Sequence, residues 1–163
     1  MRAAASKIAS RALVRKELAK HKRRGERIVF ANGCFDVLHA GHTRYLESAR
    51  VEGDLLVVGV NADSSVGNLK GAGRPVLDEK ARALLVAALR CVDYVVVFPE
   101  ATVEALLEEL RPDVHAKGTD YTVETVPERA TAKRLGIRVA IVGDPKDHST
   151  RALFDSIRKA PHE

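Results

Sequence analysis

Residues 28–42 read IVFANGCFDVLHAGH, and the order of residue types in this stretch decides the fold. Ile28 to Asn32 is a short apolar run of strand length, bounded by a glycine. Gly33 lets the backbone turn sharply and lets its amides approach a ligand closely. Gly41 then opens a helical stretch, whose free N–H groups and positive dipole end attract an anion. His39 and His42 flank that opening, and a spacing of three on the first turn of a helix makes their imidazoles neighbours. Two imidazole donors beside a helix N-terminus suit phosphate oxygens whose charge grows during a displacement. The competing structural account is that one histidine caps the helix while the other faces water.

Working outward, strands and helices alternate. LLVVGVN (55–61), YVVVF (94–98), DVHA (113–116) and IRVAIVG (137–143) join IVFAN (28–32) as strands. Several are nearly unbroken apolar runs, as expected of strands buried on both faces of a parallel sheet. Helices are expected at about 41–51, 64–70, 79–90, 102–110, 128–135 and 149–159. In 102–110, Thr102 offers an N-cap, and Val103, Leu106, Leu107 and Leu110 follow helical spacing. The pattern predicts an α/β fold: a Rossmann-like, doubly wound, parallel five-stranded sheet with helices on both faces. One domain is expected over 27–160, preceded by a basic helical arm over 1–26. Ligands in such sheets bind beyond the carboxyl ends of the strands, where Asn32–Gly33, Asn61 with Asp63, and Lys117–Gly118–Thr119–Asp120 fall.

Composition bounds the function. A formal charge of +5 over 163 residues suggests nucleic acid, but residues 1–27 alone carry a net +8 and leave −3 for the rest. The charge therefore describes the arm, read as a solvated helix whose removal leaves the nucleotide site in place, and no nucleic-acid partner is expected. No run reaches the length of a membrane span, no secretory leader pattern opens the chain, and two cysteines make no disulfide framework. A cytoplasmic protein without a membrane partner follows. Neither G-x-G-x-x-G before a helix nor G-x-x-x-x-G-K-[ST] occurs, and the cysteines and histidines show no zinc spacing.

The stretch NGCFDVLHAGH resembles the signature of the cytidylyltransferase-like nucleotidyltransferase superfamily, roughly G-x-F-D-x-x-H-x-G-H. VVGVNADSS (57–65), LKGAGRPV (69–76), DEKARALLVAALRCVDYVV (78–96), KGTDY (117–121) and HST (148–150) follow in the order expected of it. Together they resemble the adenylyltransferases that form ADP-heptose from D-glycero-β-D-manno-heptose 1-phosphate. The resemblance implies transfer of AMP from ATP to a sugar 1-phosphate, with release of pyrophosphate. It assigns His39, His42 and Lys70 to catalysis. It assigns Asn32, Gly33, Cys34, Phe35, Gly41, Lys117, Gly118, Asp120, Ser149 and Thr150 to the nucleotide, and Asp36, Asp63 and Arg82 to the acceptor. Helix or turn capping is the alternative for Asp36, Asp63 and Ser149, and burial without reactivity is the default for Cys34. Where relatives carry a third hydroxyl after Ser149 and Thr150, this chain has Arg151.

Mg²⁺ is expected because a triphosphate carries it, its protein ligands unknown from sequence. A homo-oligomer, dimer or tetramer, is expected, and since some relatives fuse a sugar kinase to this domain and the present chain is too short for both, a separate sugar kinase upstream. Two other functions fit the residues. One is a cytidylyltransferase acting on glycerol 3-phosphate or a phospho-amine. The other is a non-catalytic nucleotide-sensing module, against which the paired histidines argue.

Overall fold

A computed structural model describes residues 2–71, 73–144 and 150–159. Five strands, β1 (Ile28–Gly33), β2 (Leu55–Asn61), β3 (Tyr94–Phe98), β4 (Val114–Gly118) and β5 (Arg138–Val142), form one sheet. Its order is β3-β2-β1-β4-β5, with every pairing parallel. The helices are α1 (Arg11–Arg23), α2 (Ala40–Val51), α3 (Asp63–Lys70), α4 (Glu79–Ala88), α5 (Glu104–Leu110), α6 (Arg129–Leu135) and α7 (Thr150–Lys159). The Rossmann-like five-stranded architecture expected from the sequence is the one found. The strand order reverses between β1 and β4, which is where a ligand crevice belongs.

Alternation along each strand separates two cores. Val29 and Ala31 of β1, with Leu56, Val58 and Val60 of β2, pack against Leu46 and Ala49 of α2 and Ala83, Val86 and Ala87 of α4. Ile28 and Phe30, with Leu55 and Val57, face the other way, onto Leu106, Leu107 and Leu110 of α5 and Ala132 of α6. Gly59 makes room for that second layer, since a Cβ there would lie 2.9 Å from Cζ of Phe30 and 3.2 Å from Cε1 of Phe98.

The arm is not the solvated helix expected from its charge. Ser10 caps α1 by accepting the Leu13 N–H at 3.3 Å. Val14 and Leu18 then enter the second core, where both are fully buried. Upstream, Ile8 forms a parallel bridge to Val95. The lysines and arginines of α1 dominate its composition and hide a short apolar stripe four residues apart.

Element ends differ in instructive ways. Helix α5 starts at Glu104 with Val103 at its N-cap position, so Thr102 is not its cap. Asp63 is the first residue of α3, not a side-chain cap. Strand β4 runs on to Gly118, because Lys117 and Gly118 pair with Ile141 and Val142 of β5.

Candidate active site

A cleft of about 640 Å³ opens over the carboxyl ends of β1, β2, β3 and β4. Asn32 and Gly33 form its floor at the end of β1, in register with Gly59 and Val60 of β2. Beyond them the chain turns at Phe35, whose φ is 49°. The sharp turn expected at Gly33 thus occurs two residues later. Gly33 eases the packing instead, because a Cβ there would stand 3.1 Å from Cζ of Phe35, a tight contact to which the ring would have to yield. Phe35 meets His42 edge-on at 5.2 Å between ring centroids.

His39 occupies the N-cap position of α2, and its carbonyl accepts the His42 N–H at 2.9 Å. Its side chain makes no cap hydrogen bond, so helix capping does not explain the imidazole. Instead the rings of His39 and His42 stack, with centroids 3.8 Å apart and planes at 24°. Both rings line the cleft with Gly41, at the helix end where unpaired N–H groups favour an anion.

Lys70 ends α3 and reaches the cleft from the β2 side, with Cys34 and Asn61 nearby. Burial pushes the Cys34 thiol up, with the charges of Lys70 and Arg82 opposing, which disfavours the nucleophilic thiolate. Lys117, Gly118 and Asp120 line the opposite wall. Lys117 is nearly buried, 3.4 Å from Glu128 and 4.7 Å from the Tyr121 ring centroid. Thr150 begins α7, whereas Ser149 lies outside the described residues, as do Lys146 and His148.

The three residues expected at the acceptor do not line the cleft. Asp36 is fully buried and accepts hydrogen bonds from the Val76 N–H and from Arg74, each at 2.6 Å. Burial pushes its carboxyl up, but those donors outweigh burial and hold it below the usual carboxylate range. Arg82 is equally buried. It donates to the Leu77 carbonyl at 2.9 Å, the Cys34 carbonyl at 2.6 Å and Asp63 Oδ1 at 2.7 Å. These side chains clamp residues 74–78 and the start of α3 to the signature loop from behind.

Several wall residues escaped sequence reading. Arg44 and Tyr45 sit one turn into α2, Tyr45 donating to the Ala116 carbonyl at 2.9 Å and Arg44 lying 3.4 Å from Asp144. Phe98 and Thr102 close the β3 side, and Glu128 lies at the start of α6. Only contacts between distant segments give these residues a place, and no local spacing encodes such contacts. Among the described residues no group of three or more His, Cys, Asp or Glu side chains could hold a metal ion. No described helix is long and apolar enough to cross a membrane.

Residues 30–157 match the family model described as cytidylyltransferase-like. The chain is 47% identical over 152 residues to the bifunctional protein HldE of Syntrophotalea carbinolica, covering 93% of this chain and 31% of that protein. It is 53% identical over 135 residues to the bifunctional protein HldE of Pseudomonas paraeruginosa, covering 83% of this chain and 28% of that protein. The chain thus spans less than a third of the length of these relatives. The crystal structure of the lipopolysaccharide core biosynthesis protein from Thermoplasma volcanium superposes with a TM-score of 0.64 at 34% identity, covering 76% of this chain and 100% of that one.

Proposed function

This chain belongs to the cytidylyltransferase-like family of nucleotidyltransferases, and from that premise we propose that it is an adenylyltransferase making ADP-heptose. In this reading AMP passes from ATP to D-glycero-β-D-manno-heptose 1-phosphate. The stacked imidazoles of His39 and His42 at the N-terminus of α2 are the observation that carries it. The similarity to the HldE proteins supports the choice of acceptor.

An oxygen of the sugar phosphate attacks the α-phosphorus of ATP in line, and the bond from that phosphorus to the α,β-bridging oxygen breaks as pyrophosphate leaves. The protein has little covalent work to do; it positions the reactants and neutralises charge. His39, His42 and the first amides of α2 donate to the phosphate oxygens that gain charge. Lys70 supplies a cation from the β2 side. Asn32, the backbone from Gly33 to Phe35, Gly41, Lys117, Gly118 and Asp120 line the remainder of the nucleotide path, and Ser149 and Thr150 are assigned to the nucleotide by the family resemblance. Asp36, Asp63 and Arg82 serve the acceptor indirectly, by fixing the loop that carries the histidines.

Mg²⁺ enters with the triphosphate. Such an ion would be held largely by phosphate oxygens and water, with few protein ligands. ATP as donor places the reaction in the cytoplasm. A homo-oligomer and a sugar kinase activity supplying the heptose 1-phosphate belong to the same proposal. Pyrophosphate release from ATP or CTP, each offered heptose 1-phosphate or glycerol 3-phosphate, tests it. Turnover with ATP and heptose 1-phosphate is expected, and turnover only with CTP and glycerol 3-phosphate would overturn it.

A further inference from the structure

His115 does not line the cleft, yet it is a polar side chain fully buried within the sheet. It lies within β4, paired in register with Phe30 of β1 and Val139 of β5, and it is fully buried. Its ring tilts against Phe30 at 5.7 Å, and its Nε2 lies 3.2 Å from Oδ1 of Asn32. Burial, with the Lys117 charge adding to it, pushes its pKa down to about 3. The ring is therefore neutral throughout the physiological range and carries one N–H.

An amide carbonyl oxygen can only accept. The ring proton therefore sits on Nε2, and Nδ1 keeps a bare lone pair. Among the described residues Nδ1 has no hydrogen-bond partner, and Nε2 makes its polar contact with Asn32. Asn32 stands in the cleft floor at the reversal of strand order. With Oδ1 held from inside the sheet, Nδ2 is the amide atom left for the cleft. An amide turned the other way would set its oxygen against phosphate oxygens, acceptor against acceptor.

We infer that His115 is a positioning residue, which fixes the Asn32 amide so that its N–H donors meet the bound nucleotide. The inference rests on reading the cleft as a nucleotide site. It places part of the binding specificity in a residue that touches no ligand, much as outer partners orient the ligands of metal sites.

A double-mutant cycle on the full chain tests it, using His115→Leu, Asn32→Ala and the pair. Equilibrium affinity for ATP is read by calorimetry and kcat/KM by pyrophosphate release, with melting temperature recorded for each variant. His115→Leu should weaken ATP binding and kcat/KM by about tenfold in the native background, the scale of one hydrogen bond to a polar ligand. It should change them little once Asn32 is alanine, and His115→Gln, which keeps a donor near Nε2, should restore most of the loss. Equal losses in both backgrounds, or no loss in either, would overturn the inference. If the native chain binds CTP and not ATP, the functional reading fails, and the same cycle run on CTP still judges His115 by its coupling to Asn32.

Discussion

The imidazoles of His39 and His42 stack at 3.8 Å between centroids, and neither the turn of α2 nor its cap requires them to. The N-cap function belongs to the His39 carbonyl, which leaves the ring facing the cleft. Phe35 meets His42 edge-on, from a residue with left-handed backbone and with its ring close against Gly33. The signature is thus a mechanical unit: Gly33 admits Phe35, Phe35 supports His42, and His42 stacks on His39.

Leu18→Ala should destabilise the protein by about 3 kcal/mol, the usual cost of emptying a packed leucine site. Leu18 is buried with Ile28, Phe30 and Leu107 and does not line the cleft. Urea unfolding should show the loss, while the KM for ATP stays near that of the native chain. A stability change near zero would mean that α1 is the dispensable solvated arm its charge suggests.

That arm shows where sequence reading stops. The parallel strands were legible because an apolar run of strand length between turn residues fits a buried strand and little else. The site loop was legible because glycine, histidine and helix N-terminus coincide locally. In α1, by contrast, two apolar residues sit among many charges, and only the sheet they pack on reveals their purpose. Asp36, Asp63 and Arg82 were legible as important, but their place behind the loop depends on residues 74–78 folding over them. Glu128 and Arg44 carry no local signal at all.

Asp63→Ala removes the carboxylate 2.7 Å from a guanidinium that has no access to water. A buried charge stripped of its partner is costly. Since Arg82 keeps two backbone carbonyls and Asp63 is partly exposed, a loss of about 2 kcal/mol is expected. Thermal unfolding checks this. A large rise in the acceptor KM at unchanged stability would instead place Asp63 in contact with the acceptor.

The pKa of His115, pushed down to about 3 from an ordinary 6.5, makes stability depend on pH. Between these values the unfolded chain binds a proton that the folded chain refuses, so stability falls as pH drops below 6.5 and the penalty is complete near 3. From pH 7 to pH 5 the native chain should lose about 2 kcal/mol more than His115→Leu does. Equal losses in the two proteins would show that the ring protonates freely.

The most direct measurement is the single-turnover rate of AMP transfer in His39→Ala, His42→Ala and the double variant, with melting temperatures taken on the same preparations. Preorganised donors acting on charge in the transition state should each be worth about 10²–10³ in rate, with a smaller effect on ATP affinity. The double variant should lose less than the product of the two, because both rings act on one charge. Folded single variants that transfer AMP within a few-fold of the native rate would contradict the account.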